Sequence, residues 1–344
     1  MRLLIIGVSG PTHVGRHFLN AAGVLGWEAE VLDSREAFQG PAWWRRVCWH
    51  LLGRRPPALE GFSRMAVTRC QQFKPDLVLA TGITPLNAES LRQLRHAGIP
   101  AVNFLTDDPW NPAHRAHWFL RALPNYRHVF NPRHACEMDL RGVMGESTSW
   151  LPFAYAPADH FPPPDLSEDG RDRWGHLVAF IGGADADRVK YARALAAAKV
   201  PLGLWGGYWK DHPDLATHAH GHADAETCRH IVAGAGANLC LVRRANRDGH
   251  SMRSYELPAI GGCLLVEDTE DHRRLFGEEG NAASYFTDTN TLTSQARRLL
   301  SLPFSERSRM AAAAHHRVVN SGSTYACRLK TIFQTLLSET GMQS

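Results

Sequence analysis

The sequence predicts an α/β protein made of two domains, each a parallel β-sheet covered by helices. Short apolar runs such as RLLIIGV and HLVAFIGG have the continuous hydrophobicity of strands that are buried on both faces. Helical segments separate these runs throughout the 344 residues, a length that suggests two domains. Because parallel strands joined by helices form right-handed layered units, we expect two Rossmann-like domains facing each other across a cleft.

A proline-rich segment divides the alternating pattern into two halves. Residues 156–174 contain four prolines followed by a polar, acidic run, which is typical of a linker. We therefore predict a first domain over 1–160 and a second over 170–324. The last helix, 325–344, is a segment that can rejoin the first domain.

Each predicted strand is an apolar run, and each predicted helix has apolar residues three or four positions apart, often with a glycine at its end. In the first domain the predicted strands are 2–8, 28–33, 75–82, 100–108, 126–132 and 147–154, and the predicted helices lie within 9–26, 85–98 and 133–141. In the second domain the predicted strands are 176–183, 201–207, 237–244, 263–268 and 283–286. Its predicted helices are 186–199, 225–236 and 270–280, and helical segments at 291–302, 304–322 and 324–339 close the chain.

The charge distribution argues against nucleic acid as a partner. The formal net charge is +4 and the pI is about 8.7, with lysine and arginine scattered rather than clustered in a tail. Nucleic-acid-binding domains concentrate basic residues on one face or in one run. A mildly basic protein of this kind is suited to a cleft for anionic small molecules.

Cysteine usage and hydropathy predict a cytoplasmic protein. The seven cysteines form no CxxC pair and mostly lie in apolar patterns, so we expect reduced core thiols. The N-terminal apolar run reaches a glycine too early for a signal peptide. No apolar run approaches the ~18 residues that are needed to span a bilayer.

A glycine turn, GVSGPTHVG, follows the first strand. Its glycines, Gly7, Gly10 and Gly15, do not have the GxGxxG spacing of a dinucleotide site. We interpret it as a tight turn that lets a substrate approach the backbone. His13 lies at its rim, either as a functional group or simply as an exposed side chain.

The fourth strand ends in two acids, in FLTDDPWNP. Ligands bind at the carboxyl ends of parallel strands, so Asp107 or Asp108 is a candidate to orient a hydroxyl or act as a base. Ordinary turn chemistry before Pro109 is the alternative. We expect the two acids to point in different directions.

The histidines of HAHGH, at 218, 220 and 222, alternate as on a strand face. A metal site needs three or four ligands and supporting hydrogen bonds, and no acid or cysteine with suitable spacing lies nearby. We predict a polar loop and no metal.

Residues 42–55 combine aromatic and basic side chains. On a helix, Trp43, Val47 and Leu51 fall on one stripe, and arginines including Arg45 and Arg46 lie elsewhere. We favour a helix that packs this stripe on its own sheet. The alternative is peripheral contact of residues 42–55 with the anionic inner surface of a membrane.

The densest concentration of polar chemistry is RDGHSMRSYELPAIGG, residues 247–262. A proline costs roughly 3 kcal/mol inside a helix but little in its first turn. Pro258 therefore places a helix start near Ser254, with Ser251 or Ser254 as its N-cap. The helix ends at a glycine pair.

The amides at this helix start follow a predicted strand and carry the positive end of the helix dipole, which suits a phosphate. Arg253 and Arg247 add forked donors, and Glu256 can accept hydrogen bonds from two ribose hydroxyls. A capped helix with surface ion pairs is the alternative. It explains Glu256 but not the concentration of Asp248 and His250 at the same strand end.

The block RRANRDGHSMRSYELPAIGG resembles the donor-binding region of retaining glycosyltransferases of the GT-B fold. Their signature is an acid, seven residues, and a glutamate that opens a helix ending at glycine. Asp248 stands where the first glutamate is usual, and Glu256 is the second. With LPFAYAP, FLTDDP and SGSTYACRLKTIF, the block resembles the CgeB-like (spore maturation protein B) glycosyltransferase family, most strongly over 238–340.

The resemblance implies a GT-B enzyme that holds a nucleotide-sugar donor on its C-terminal domain and the acceptor on its N-terminal domain. It implies that Arg253 and the helix amides bind the diphosphate and that Glu256 binds the ribose. The resemblance also implies that the loop FIGGADADR adds phosphate contacts through Gly182, Gly183 and Arg188. The donor-binding set also includes two residues at the helix start, Ser254 and Tyr255.

The predicted reaction is glycosyl transfer, retaining and independent of metal, because arginines and the helix end carry the charge of the leaving diphosphate. Asp248 is expected to contact the sugar ring and His250 a hydroxyl or phosphate, with Asp107 or His13 assisting the acceptor. No cofactor is expected. The donor is linked to UDP, GDP or TDP, and the acceptor is a sugar, a lipid-linked sugar, a protein or a small molecule.

Two other functions fit the same residues. A sugar-nucleotide epimerase of the GT-B fold shares the donor site but needs no acceptor. A non-catalytic module would bind the nucleotide sugar without turnover.

Overall fold

A computed structural model describes residues 1–113, 115–164 and 173–341. The chain forms two compact units. The first contains residues 1–152, the short segment 245–247 and the chain from 325 onward; the second contains 153–244 and 248–324. Residues 153–160, which were predicted to end the first domain, therefore group with the second unit.

The sheet of the first unit has six parallel strands in the order β2-β1-β3-β4-β5-β6. The strands are β1 Arg2–Gly7, β2 Glu28–Asp33, β3 Leu77–Thr81, β4 Ala101–Phe104, β5 His128–Asn131 and β6 Thr148–Trp150. The helices are α1 Val14–Val24, α2 Ala42–His50, α3 Leu59–Phe73, α4 Ala88–His96, α5 His117–Ala122 and α6 Glu137–Met144. The helix α3, which the sequence analysis does not assign, buries Phe62 and Phe73 in the core.

The sheet of the second unit also has six parallel strands, in the order β12-β11-β10-β7-β8-β9. The strands are β7 Val178–Ile181, β8 Leu202–Trp205, β9 Ala219–Gly221, β10 Ala237–Cys240, β11 Leu264–Glu267 and β12 Ala283–Phe286. The helices are α7 Ala186–Ala197, α8 Ala225–Gly234, α9 Arg253–Ile260, α10 Glu270–Phe276, α11 Thr289–Ser301 and α12 Phe304–Asn320.

The strand β9 corrects one prediction, because it lies in the segment that was predicted to be a polar loop. The His220 ring stacks on Trp205 of β8 with 4.6 Å between ring centroids, and His218 Nδ1 lies 3.3 Å from the Leu202 carbonyl oxygen. Pairing with β8 therefore places His220 on an edge strand, and His218 lies in the short turn directly before it.

The last helix, α13 Tyr325–Gly341, belongs to the first unit and packs along α1. Phe333 contacts Trp27 edge to face with 5.7 Å between ring centroids. Glu339 lies 2.6 Å from Nδ1 of His128, a buried residue of β5. Aromatic packing on Trp27 and this hydrogen bond to His128 join the last helix to the first unit.

The helix α2 does not pack its aromatic stripe on the sheet, contrary to the interpretation that we favoured. Cys48 is its only buried residue, whereas Trp43 is 66% exposed. Leu51, which follows the helix, is 76% exposed. Among the described residues, no helix is long and apolar enough to cross a membrane.

In each sheet all strands are parallel, but the order in which the chain adds them changes direction at one point. In the second unit the reversal lies between β7 and β10: β8 and β9 continue on one side, β11 and β12 on the other. The loops that leave β7 and β10 run to opposite faces, which opens a crevice at the carboxyl edge where ligands bind in such sheets. The topology therefore directs attention to residues 182–188 and 241–256.

The close packing of this edge can be tested at Gly206. Its φ is +135°, and a Cβ there would collide with the Gly182 carbonyl group. We expect Gly206→Ala to lower the free energy of unfolding by on the order of 3 kcal/mol, near the top of the usual range. Gly221→Ala is the matched control, since its φ of +77° brings strain but no clash. It should lose about 1 kcal/mol. Equal losses in urea unfolding would contradict this account.

Candidate functional site

The glycine loop after β7 lies against the loop after β8. The Trp209 indole N–H donates to the Gly182 carbonyl oxygen at 2.7 Å, and Gly182 N–H donates to Trp205 O at 2.8 Å. The Ala184 amide donates to Gly207 O at 2.9 Å. These bonds hold the two predicted glycines in an open, half-buried turn at the carboxyl edge.

Arg188 lies in the first turn of α7 and folds back onto this loop. Its Nη1 donates to the Gly183 carbonyl oxygen at 3.0 Å, and its Nε pairs with Asp185 at 3.2 Å. Burial lowers the pKa of the Arg188 guanidinium, and the positive charges of Arg243 and Arg253 lower it further, although Asp185 acts in the opposite direction. Three guanidinium groups thus share one electrostatic environment. We call Arg188, Arg243 and Arg253 the arginine cluster.

Arg243 was not singled out in the sequence. It follows β10, where Glu267 accepts hydrogen bonds from the Val242 amide at 3.2 Å and from Arg244 Nη2 at 2.7 Å. These bonds fix the residues on both sides and leave Arg243 exposed at the carboxyl edge. Its position directly after a buried strand is the feature of the sequence that could have identified Arg243. The pair Arg243 and Arg244 by itself does not indicate which of the two arginines faces the site.

A chain of hydrogen bonds sets the start of α9. The Ser251 amide donates to Ser254 Oγ at 3.0 Å, and Ser254 Oγ lies 2.8 Å from His272 Nε2. The other ring nitrogen, Nδ1, lies 2.7 Å from the Glu267 carbonyl oxygen. Because that carbonyl can only accept, Nδ1 carries the proton and Nε2 accepts from the serine hydroxyl.

The structure corrects two details of this helix. The residue before it, Met252, makes no side-chain cap bond, and Pro258 lies in the second turn rather than the first. The Ser254 amide donates to Ser251 O at 3.1 Å, and the Tyr255 amide to Met252 O at 3.0 Å. Amides that were expected to bind a phosphate are therefore used inside the turn, and the arginine side chains become the main anion donors.

Arg253 and Glu256 form the central pair of the site. Arg253 Nη1 bonds to Glu256 Oε2 at 2.5 Å, and Arg253 Nε donates to the Ile181 carbonyl oxygen at 3.2 Å. The Arg253 side chain is 35% exposed, whereas that of Glu256 is only 4% exposed. The other carboxylate oxygen of Glu256 lies 3.8 Å from His160 Nε2. The pair therefore presents the guanidinium group, and the largely buried Glu256 carboxylate has one oxygen, Oε1, outside the pair.

The remaining predicted residues of this block differ in burial. Asp248 is half-buried, and its amide donates to Arg243 O at 3.2 Å. His250 is 2% exposed, with Nδ1 at 2.7 Å from Asp271 Oδ2. Tyr255 is buried against the His250 ring. This packing gives His250 and Tyr255 a supporting position and Asp248 a more accessible one.

Arg247 does not join the arginine cluster. It lies in the first unit, where Nε and Nη2 bond to Asp108 at 2.6 and 3.1 Å and Nη1 pairs with Asp139 at 2.8 Å. The bidentate bond to Asp108 and the bond to Asp139 raise the Arg247 pKa. Asp107 instead accepts from Asn246 Nδ2 at 3.1 Å and Thr106 Oγ1 at 3.0 Å. The two adjacent acids thus have different partners, as predicted.

His13 lies at the carboxyl edge of the first sheet, as the residue before α1. Its side chain is exposed and makes no cap bond. Partial burial lowers the His13 pKa, and the charge of Arg35 lowers it further. The ring is therefore neutral near pH 7, the form that can accept a proton.

Tyr208 is a second residue that the sequence analysis did not single out. Its side chain is 74% exposed although its φ is +71°, a left-handed conformation that is uncommon outside glycine. A Cβ at Gly183 would lie 3.9 Å from Tyr208 Cδ2, so the ring borders the glycine loop. The site thus combines cationic side chains, a carboxylate and an exposed aromatic ring, as a ligand with phosphate, hydroxyl and planar groups requires.

Residues 188–334 match a family model described as glycosyl transferase-like. The matched segment contains the arginine cluster, Glu256 and most of the second sheet. The match bears out the predicted class of enzyme, a glycosyltransferase. No curated protein matches the chain at a significant level.

Solved structures of the GT-B fold resemble the whole chain. Sucrose-phosphate synthase from Thermosynechococcus elongatus has a TM-score of 0.71 and 14% identity, covering 98% of this chain and 100% of that one. Anabaena HepE in complex with UDP-glucose has a TM-score of 0.66 and 15% identity over 98% and 100%. The trehalose 6-phosphate synthase of Burkholderia multivorans has a TM-score of 0.64 and 12% identity over 99% and 97%. The predicted GT-B fold is confirmed.

The neutral His272 ring predicts a pH-dependent stability. Burial lowers the His272 pKa from 6.5 to about 4, so the unfolded chain binds a proton first as the pH falls. The contribution of neutral His272 to the free energy of unfolding is present above pH 6.5 and is lost as the pH falls from 6.5 to about 4. Between pH 7 and pH 5 this loss amounts to about 2 kcal/mol. His272→Gln should flatten that slope in urea unfolding, whereas His316→Gln, at an exposed site, should not. An unchanged slope in His272→Gln would contradict the assignment.

Proposed function

We propose that this protein transfers a sugar from a nucleotide-sugar donor to an acceptor, with the donor bound by the second unit. The arginine cluster at the point where the strand order reverses is the observation that carries the proposal. An anionic diphosphate is the ligand that such a cluster suits, because forked guanidinium groups match phosphate oxygens. HepE, one of the similar structures, is in complex with UDP-glucose, so UDP-sugars are the first donors to test, followed by GDP- and TDP-sugars.

Each group of the donor has a proposed partner. Arg253, Arg243 and Arg188 bind the diphosphate, and the open turn at Gly182 and Gly183 lets it approach the backbone. Glu256 orients Arg253 and, through its second carboxylate oxygen, accepts from the ribose. The exposed ring of Tyr208 stacks on the nucleobase, whose planar face suits an aromatic side chain.

The reaction breaks the bond between the anomeric carbon and the diphosphate, and the bonding electrons leave with the phosphate oxygen. The arginine cluster stabilises that developing charge, which a metal ion would otherwise do, so we propose a reaction without metal or cofactor. Asp248, the accessible carboxylate of the block, contacts the sugar ring as positive charge develops there. His250 is a positioning residue, since its ring is buried against Asp271.

The proposals on the narrower family, the stereochemistry and the acceptor rest on the sequence motifs. We propose that the protein is a CgeB-like bacterial enzyme of the cytoplasm and that it retains the anomeric configuration. The acceptor binds the first unit, where neutral His13 or Asp107 receives the proton of the attacking hydroxyl. That acceptor is a sugar, a lipid-linked sugar, a protein or a small molecule.

Donor affinity tests the roles of the site residues. Arg253→Ala, Glu256→Ala and Arg243→Ala should each weaken UDP-sugar binding in calorimetry roughly 10- to 100-fold, because a charge-assisted hydrogen bond is worth about 1.5–3 kcal/mol. Arg193→Ala is the matched control. It removes the same charge from the same unit, where Arg193 pairs with Asp214 at the surface. Unchanged affinity in Arg253→Ala and Glu256→Ala would refute the donor site.

A thermal-shift screen of nucleotides and nucleotide sugars identifies the donor. A ligand at 100 times its Kd adds about 2.7 kcal/mol of stability, which shifts the melting temperature measurably. The bound donor is then incubated with the enzyme without acceptor. An altered free nucleotide sugar would indicate an epimerase, and binding with no turnover on any acceptor would indicate a binding module.

A further inference from the structure

The helix α2 has an apolar surface that the fold leaves open to solvent. Trp43 is 66% exposed and Trp49 46%, and after the helix Leu51 is 76% and Leu52 43% exposed. Trp43 lies about 140° around the helix from Cys48, the one buried residue of α2. The fold anchors α2 by one side and points indole and isobutyl groups outward.

Basic residues accompany the apolar side chains of this segment, and the segment itself contains no acidic residue. Residues 41–58 contain four arginines and one histidine but no aspartate or glutamate. Arg54 and Arg55 already have partners within the protein. Arg54 Nη1 donates to the Arg115 carbonyl oxygen at 2.9 Å, and Arg55 pairs with Glu60 at 2.8 Å. Within the described ranges, neither Arg45 nor Arg46 has an acidic partner. Both side chains are exposed and available to an external anion.

We infer that the α2 face, formed by Trp43, Arg45, Arg46, Trp49 and Leu51, docks the protein on an anionic phospholipid bilayer. The helix would lie in the plane of the interface, its indole and leucine side chains among the headgroups and acyl chains and its arginines on lipid phosphates. This inference concerns a surface outside the donor site and does not depend on the identity of the donor.

The chemistry of the face favours a bilayer over a protein partner. Tryptophan is enriched at the membrane interface, where its ring lies at headgroup depth. On α2, Arg46 lies between Trp43 and Trp49 around the helix axis, so its guanidinium group faces the same interface as the indole rings and can bind lipid phosphates there. A second copy of this chain would bring the same arginines against one another, which opposes pairing through this face. An anionic lipid surface satisfies the charge and the apolar groups together.

The test is binding of the full chain to vesicles of phosphatidylcholine with about 30% phosphatidylglycerol, which present an anionic surface. Flotation measures the bound fraction, and tryptophan fluorescence reports insertion. We expect binding that weakens with added salt and is much weaker on pure phosphatidylcholine. Arg45→Gln with Arg46→Gln should weaken it roughly 25-fold, at about 5-fold for each arginine. The double substitution Trp43→Ser with Leu51→Ser should abolish both the binding to vesicles and the blue shift of tryptophan fluorescence that accompanies insertion.

Met138→Ser with Arg141→Gln is the matched control. Met138 is 87% exposed and Arg141 is exposed on α6, so this variant also removes an exposed apolar group and an arginine from the first unit. It should bind vesicles like the wild type. Circular dichroism and UDP-sugar affinity should be unchanged in every variant, which separates a loss of docking from a loss of folding or of the donor site.

Absence of wild-type binding to anionic vesicles at millimolar lipid would overturn the inference. So would equal binding by the α2 variants and the wild type. A concentration-dependent dimer that Trp43→Ser dissolves, without vesicle binding, would assign the face to a second copy of the chain instead and would also overturn it.

Discussion

The hydrogen-bond chain that runs through the buried His272 ring is the interaction on which the geometry of the candidate site depends. Its neutral ring accepts from Ser254 and donates to the Glu267 carbonyl, and Ser254 in turn accepts from the Ser251 amide. This chain fixes where α9 begins, and therefore where Arg253 points. Burial stabilises the neutral ring, so the core of the second unit sets the protonation state that the site requires.

The backbone topology supplies the second constraint. Carboxyl ends of parallel strands meet at one edge, and the reversal of strand order between β7 and β10 separates the loops that follow them. The glycine loop and Arg243 lie in these two loops, and Arg188 and Arg253 lie in the first turns of α7 and α9. The side chain of Glu267 joins the edge to the core by bonding to Val242 and Arg244. Rigid strand ends thus position charged side chains that would otherwise be mobile in solvent.

The predictability of the site differs from residue to residue. Arg253 was predicted from its position at a helix start that follows a buried strand, and Arg188 from the resemblance of its loop to that of GT-B glycosyltransferases. Arg247 was assigned to the same site by its proximity in sequence, but a left-handed backbone at φ +53° accompanies a side chain bound to Asp108. Arg243 and Tyr208 were missed, because exposure of a side chain depends on how neighbouring loops pack. The local sequence pattern indicates where strands and helices lie, but it does not indicate which of two adjacent arginines has an acidic partner in the folded protein.

Hydrophobic patterning by itself determined the α/β class and all but one of the twelve described strands, since buried parallel strands must be apolar runs that end in loops. Tertiary structure alone decided the strand order, the return of α13 to the first unit and the exposure of α2. It also decided that internal bonds, rather than a bound phosphate, would occupy the first amides of α9. The strand order, the return of α13 and the exposure of α2 depend on contacts between residues far apart in sequence, and a local pattern carries no information on which distant partner a side chain will meet.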